Sequence, residues 1–376
     1  MREGPRAAHR DERTAVIGLA NAVFYPDGRF DMGRAFPTFF ARDNLARLRV
    51  MVDDGRPISL AGFTLRDLSL NGVLLRAACV GSVCTREEYR GQGIAARLMD
   101  DVVARAAEQG AVMVLISGGR GLYRRMGCAD AGLYHVISIG KRSDLPAIAC
   151  DSRDWVEEDL PDMMALHQAE AVRFVRDAAE MRMLLESRML FCRPARTFVV
   201  RRDGSVLAYI CCQGPDDLSG VGVVRAREIA GSRPALLASA PAILKAQGAQ
   251  VLEIEIPAAD IELENLARAH KLPCRNVGFH GTVKIIDRKG FFRSLEGHIA
   301  KRLTPEEREA LRIECGPAVT FRCGSEQVSI RQDEELAAMV FGSVERVGPA
   351  VGRGRLGSLL GRLFPLPLPG YGLNYV

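Results

Sequence analysis

The stretch from Tyr89 to Leu98, YRGQGIAARL, constrains the fold of this 376-residue chain more than any other. Gly91 and Gly93 supply the backbone freedom that a sharp turn needs. Ile94, Leu98, Val102, Val103 and Ala106 then recur at helical spacing up to Gly110, a helix stop. The residues before the turn, GVLLRAACVGSVCT (72–85), read as a strand, and AVMVLIS (111–117) reads as a buried strand. Strand, glycine turn, amphipathic helix and strand together make an α/β unit. Such a turn can aim several backbone N–H groups at one point, and the helix N-terminus adds roughly half a positive charge. From the residues alone two readings stand: a turn that holds a phosphate, or a turn that starts a helix. It is not a Walker loop, because no Gly-Lys-Ser/Thr follows, nor a dinucleotide fingerprint, because the third glycine is missing.

The surrounding pattern extends the unit and then repeats it. Residues 12–24 have helical spacing, while 47–52 and 57–70 alternate as strands, the latter joined to 72–85 by the tight-turn pair Asn71-Gly72. A short helix in RGLYRRMG (120–127) and a strand LYHVISIG (133–140) close this unit near residue 143. A second segment then reads as a helix (159–177), strands at 197–202, 205–214 and 221–231, a helix over 233–248 and a strand at 250–257. That echo predicts an internal duplication of fold. The third segment opens with FFRSLEGHIAKRL and TPEEREALRI, continues as a hairpin over 318–332 and a short helix over 333–344, and ends LLGRLFPLPLPGYGLNYV. In that ending Pro365, Pro367 and Pro369 argue against any regular element, yet the segment is too apolar to float in water, so it is expected to dock.

Charge and cysteine usage exclude several classes of function. The 51 basic and 46 acidic residues are interspersed, which argues against nucleic acid as the main partner. No apolar run approaches the ~18 residues of a membrane span, and MREGPRAAHRDER is charged where a secretion signal would be apolar, so a cytoplasmic protein is expected. The ten cysteines include no C-x-x-C pair and the six histidines no H-E-x-x-H, so reduced, mostly buried thiols and no metal are expected.

In its first 143 residues the sequence resembles the GCN5-related N-acetyltransferase (GNAT) family. The family signature Gln/Arg-x-x-Gly-x-Gly/Ala is matched by Arg90, Gly93 and Ala95, after a strand and before an amphipathic helix. The resemblance implies acetyl-CoA as co-substrate and selects the phosphate reading of the turn. It assigns the pyrophosphate to Arg90, Gly91, Gln92, Gly93, Ile94, Ala95 and Ala96, and the pantetheine to Val83, Cys84 and Thr85. Gly118 and Gly119 would lie against the thioester arm, although a plain strand-to-helix loop explains them equally well. Tyr123, in RGLYRRMG, would donate the proton to the departing thiolate, whereas Tyr134 reads as ordinary core.

The whole chain is similar to the enhanced intracellular survival (Eis-like) acetyltransferases. That resemblance implies an α/β (α+β) chain of two tandem GNAT-like mixed-sheet domains followed by a sterol-carrier-like α+β domain. Its boundaries would be 1–143 for acetyl-CoA binding, 144–285 for a degenerate second copy and 286–376 for the last domain with its tail. The second copy has AGSRPALLASA in place of the glycine turn and is expected to be silent. The tail would return to the active site, where the α-carboxylate of Val376 acts as general base, and a trimer or hexamer is implied. The acceptor is a primary amine, on a small polyamine or aminoglycoside-like molecule or on a protein lysine. Asp27 and Asp31 are candidate acidic residues for its cleft, against a plainer reading as solvated loop charges, while YGLNYV supplies no acid. The alternative reading is a non-catalytic acetyl-CoA sensor, or an apolar-ligand-binding protein that uses the C-terminal part.

Overall fold

The computed structural model describes residues 2–216, 222–342 and 354–376. In chain order its first elements are β1 (Arg2–Ala7), α1 (Arg13–Phe24), α2 (Met32–Ala35), β2 (Leu48–Asp53), β3 (Arg56–Leu70), β4 (Val73–Thr85), α3 (Ile94–Glu108), β5 (Met113–Ile116) and α4 (Gly121–Arg125). Then come β6 (Leu133–Gly140), β7 (Asp151–Asp154), α5 (Leu160–Ala169), β8 (Val172–Phe174), α6 (Ala178–Ser187), β9 (Met189–Leu190), β10 (Arg193–Arg202), β11 (Ser205–Asp216), β12 (Val223–Gly231), α7 (Arg233–Gln247), β13 (Val251–Pro257), α8 (Ile261–Ala269) and β14 (Cys274–Gly278). The last stretch holds β15 (Thr282–Ile285), α9 (Arg288–Ser294), α10 (Glu296–Arg302), α11 (Pro305–Ala310), β16 (Leu311–Cys315), β17 (Val319–Cys323), β18 (Glu326–Ile330), α12 (Asp333–Phe341) and α13 (Arg355–Leu363). Contacts gather these elements into two compact units, one of Met1–Gly132, Gly278–Leu366 and Val376, the other of Leu133–Val277 and Pro367–Tyr375.

In the first unit a mixed sheet runs β1-β2-β3-β4-β5-β15. Along this order β4 and β5 are the parallel pair, joined by the crossover helix α3. The apolar stripe of α3, Ile94, Leu98, Met99, Val102 and Ala106, is buried against Phe63 of β3 and Ala78 and Val80 of β4. Each such side chain contributes roughly 1.5–3 kcal/mol, which holds the helix N-terminus against the end of β4. Further along the chain, β16-β17-β18 form a small antiparallel sheet, around which Phe291, Phe292, Phe321 and Phe341 pack edge to face.

In the second unit the sheet order is β14-β6-β13-β12-β11-β10-β7, with β9 added on β10. Alternation along its strands divides two cores. Phe198, Val200, Ala208, Ile210 and Cys212 meet α7 and α8 on one face, while Val199, Tyr209 and Cys211 meet α5 and α6 on the other. Cys211 and Cys212 therefore face opposite sides and are free thiols. Here too a parallel pair, β12 and β13, is joined by a long helix, α7.

Some elements depart from the sequence reading. Strand β6, expected to close the first unit, pairs along its whole length with β13 of the second, and β15 pairs with β5 instead. Period-two alternation marks a strand but does not name its partner. Strand β1 was not expected, because its charged residues Arg2, Glu3 and Arg6 hide the pattern; it is an edge strand paired to β2 alone in the sheet. The tail is not wholly irregular, since α13 extends to Leu363 on a stripe of Leu356, Leu359, Leu360 and Leu363. Of the expected elements, residue 221 of one strand and residues 343 and 344 of one helix lie outside the described residues.

Candidate active site

Strand β4 pairs with β5 only over Ala77–Val80, opposite Met113–Ile116. The last link is the N–H of Ser117, which donates to the Val80 carbonyl at 3.3 Å. Strand β4 continues to Thr85, so Gly81–Thr85 run on past β5 and the two strands part into a fork. On its other side β4 carries a bulge, where Gly81–Cys84 oppose Leu60–Gly62 and Ser82 takes a left-handed φ of 51°. The far end of the strand is fastened by Ser59, whose hydroxyl donates to the Cys84 carbonyl at 2.8 Å and lies 2.8 Å from the Thr85 hydroxyl. Within the bulge the Ser82 hydroxyl is buried and has no hydrogen-bond partner among the described residues.

The glycine turn leads from this fork into α3. Gly91 and Gly93 both adopt left-handed conformations, φ 78° and 72°, and Gly93 is the N-cap of α3. No side chain caps the helix, and a Cβ on Gly93 would meet nothing within 4 Å. The turn is therefore an open helix N-terminus whose first amides have no carboxylate or hydroxyl of the α3 cap to bind. Arg90 turns back to donate to the Thr85 carbonyl at 3.2 Å, and Gln92 accepts from Arg2 at 2.8 Å, so these two side chains brace the turn.

Tyr123 on α4 is buried in one apolar cluster with Val83, Ile94 and Cys128. Three of the expected site residues thus belong to one apolar core. Burial pushes the Tyr123 phenol above its ordinary value, a shift that nearby Arg120 opposes. The thiol of Cys84 is pushed up to about 12 by burial, so it is neither a nucleophile nor a proton shuttle at neutral pH. Gly118 has φ 111° and its carbonyl accepts from Thr282 at 3.3 Å, while Gly119 closes the loop before α4.

At the fork stands Val376. It is buried, and its main-chain oxygen accepts a short hydrogen bond from the Ser117 hydroxyl. A Cβ added to Gly81 would stand 2.7 Å from the Val376 carbonyl oxygen. Gly81 and Ser117 therefore seat the terminus, and neither was identified from the sequence. No local pattern links residues 259 positions apart. Asp31 serves as N-cap of α2 through the Arg34 N–H at 2.8 Å, and Asp27 is exposed and paired with Arg29. Among the described residues no cluster of His, Cys, Asp or Glu could hold a metal ion, and no helix is long and apolar enough to cross a membrane.

Residues 5–131 match the GNAT acetyltransferase domain. Solved structures extend the likeness across the chain. A GCN5-related N-acetyltransferase from Kribbella flavida is 15% identical, covering 96% of this chain and 97% of its own, with a TM-score of 0.64. Eis1 from Mycobacterium abscessus is 15% identical over 98% of this chain and 99% of its own, TM-score 0.63. A conserved protein of unknown function from Enterococcus faecalis, described as a probable N-acyltransferase, is 17% identical over 77% and 74%, TM-score 0.58. No curated protein sequence matches this chain. At these identities the structures speak for the fold: a mixed α/β chain with two large mixed sheets and a third small one.

The segment that matches the acetyltransferase domain carries the open helix start; the second unit closes its own. At the N-terminus of α7, Ser232 accepts from the Ala235 N–H and proline fills the first turn. The Glu170 carboxylate accepts from the Gly231 N–H at 2.9 Å and pairs with Arg233 at 2.6 Å. A carboxylate of the chain itself already takes the amide there that a phosphate oxygen would need.

Proposed function

We propose that this protein transfers the acetyl group of acetyl-CoA to a primary amine, and that only the acetyltransferase domain binds the co-substrate. The observation that carries the reading is the uncapped glycine turn opening beside a strand fork in which a main-chain oxygen of Val376 is seated. The amides of Gly91–Ala96 would hold the pyrophosphate, with Arg90 and Gln92 bracing the turn, and the unpaired edge at Val83–Thr85 would receive the pantetheine. Gly118 and Gly119 would border the thioester arm. The second unit is the silent copy, and residues 286–376 are the sterol-carrier-like part. A cytoplasmic homo-oligomer fits the same reading.

The chemistry follows from the groups present. An amine attacks only when neutral, so a base must take its proton; the thiolate that leaves must gain one. Val376 takes the proton lost by the attacking nitrogen, directly or through a water. Tyr123, kept protonated by burial, gives its proton to the sulfur. The C–N bond forms and the C–S bond breaks, giving amide and free thiol, and proton return from the Val376 carboxyl to the Tyr123 phenolate restores both groups.

The acceptor class is a primary amine on a small polyamine, an aminoglycoside-like molecule or a protein lysine. The test is thiol release from acetyl-CoA across a panel of such amines, run beside two variants that displace the carboxylate. One adds two glycines after Val376; the other is Gly81→Ala, whose methyl would take the carboxylate's seat. Both should bind acetyl-CoA like the parent and release thiol at least ~10²-fold more slowly. Full turnover in both would leave the terminus a structural strap. Binding without thiol release for any amine would make the protein a sensor.

A further inference from the structure

The short helix that carries Tyr123 is held in place by a later part of the same unit. Five residues cannot sustain a helix by themselves, and no side chain caps the N-terminus of α4. Its place is set by what surrounds it. Strand β15, fixed to the sheet by its pairing with β5 over Thr282–Ile285, meets the α4 segment three times. The Thr282 hydroxyl donates to the Gly118 carbonyl at 3.3 Å before the helix, and the Lys284 ammonium donates to the Met126 carbonyl at 2.6 Å at its end. Just beyond, Val283 exchanges both backbone hydrogen bonds with Ala129, each at 2.9 Å. The Gly132 N–H then donates to the carbonyl of Gly342, the residue after α12, at 2.8 Å.

Of these four contacts only that of Lys284 carries charge. Its ammonium lies 3.0 Å from one oxygen of Asp333, the first residue of α12, while the other oxygen takes Arg288 at 2.6 Å. Burial pushes the Asp333 carboxyl up, but the hydrogen bonds from Arg288 and Lys284 outweigh it and hold the group below its ordinary value. A compact ammonium with three donors can serve a carbonyl and a carboxylate at once. Gly127, left-handed at φ 79°, lets the turn after α4 close on the pair: a Cβ there would lie 3.4 Å from both Asp333 and Lys284. The Met126 and Cys128 N–H groups both donate to the Tyr123 carbonyl, at 3.1 and 3.0 Å. The residue that Lys284 grips is therefore tied directly to the backbone of Tyr123.

We infer that Lys284 is a positioning residue for Tyr123, acting through the end of α4, and that Asp333 holds its ammonium in place. This rests on the reading of Tyr123 as the proton donor. A donor works only within hydrogen-bond reach of its acceptor, so a drift of ~1 Å in α4 costs on the order of 10²-fold in rate. The amides of the glycine turn belong to α3 and stay where they are. Strand β15 and helix α12 are then part of the transfer apparatus of the first unit.

The test is a double-mutant cycle in the full-length chain, read as thiol release from acetyl-CoA with the fastest of three acceptors: spermidine, an aminoglycoside and a lysine peptide. Lys284→Met keeps the length of the side chain and removes its charge. Turnover should fall at least about tenfold while the KM for acetyl-CoA stays within about twofold. In a Tyr123→Phe background the same substitution should lower the residual rate by less than about twofold, because no phenol is left to place. Asp333→Asn should show the same pattern, and it decides if Lys284→Met fails to fold. Equal losses in the two backgrounds would overturn the inference, since a merely structural lysine weakens both proteins alike. Parent-like turnover in Lys284→Met beside a slow Tyr123→Phe would overturn the positioning role and leave the donor reading standing. Full turnover in Tyr123→Phe itself would remove the donor reading, and the positioning role with it.

Discussion

Tyr123 shows what a single side chain can carry. A phenol is a poor match for a thiolate of pKa ~8.5. Its burial with Val83, Ile94 and Cys128 raises it further; in the proposed function that keeps its proton in place until a thiolate forms beside it. Tyr123→Phe preserves the packing and removes only that proton. Turnover should drop about 10²- to 10⁴-fold while acetyl-CoA affinity is retained, as measured by steady-state kinetics and calorimetry. An unaltered turnover number would return Tyr123 to the core. Tyr134, read from the sequence as core, is buried as expected, but its hydroxyl has a specific task in binding the Leu368 carbonyl.

Two helices illustrate how elements of the same kind diverge. Helices α3 and α7 each cross between parallel strands. At α3 the N-cap is a left-handed glycine with no side chain over it; at α7 a serine, a proline and the Glu170 carboxylate fill the equivalent positions. Gly93→Ala and Gly93→Val separate backbone strain from obstruction. Both pay ~1–2 kcal/mol for φ 72°, but the protein leaves open space at that Cβ. Calorimetry should find one acetyl-CoA site per chain in the parent, weaker binding in the alanine variant and none in the valine variant. Equal affinity in the two variants would mean that no ligand approaches Gly93. The elements themselves were legible because glycine turns and apolar stripes are local patterns. Strand β1 was not, since an edge strand of arginines and glutamate has no alternation to read.

At the scale of the whole molecule, a buried network of the second unit sets a dependence on pH: Glu228 pairs with Arg176 at 2.7 Å and accepts from the Leu373 N–H at 2.9 Å, and the Tyr209 hydroxyl joins it to His167. Burial pushes Glu228 upward, yet the Arg176 charge and its hydrogen bonds hold the carboxyl at about 2, below its usual 4.5. Burial lowers His167 from 6.5 to about 4. Both groups bind protons more readily in the unfolded chain, so both make stability rise with pH. The His167 contribution is lost as pH falls from 6.5 toward about 4, and that of Glu228 as pH falls from 4.5 toward about 2. The urea midpoint should therefore decrease steadily from pH 7 to pH 4, with exchange in residues 368–374 quickening in parallel. A flat or rising midpoint would show that the network does not govern this stability.

The sequence by itself determined the open turn at Gly91–Ala96, the crossover helix behind it, the repeat of strand, helix and strand, and the tyrosine of α4. Each depends on spacings of a few residues, and backbone sterics and apolar periodicity act over that range. Only the tertiary structure decided the pairing of β6 with β13 and of β15 with β5, the seating of Val376 by Gly81 and Ser117, and the hold of Arg176 on Asn374 and of Glu228 on Leu373. Those contacts join residues from about 110 to about 295 positions apart. A strand pattern is the same whichever edge receives it, and a serine looks the same whether it faces water or a carboxylate. What selects between them is the fit of the assembled surfaces, which exists only once the chain has folded.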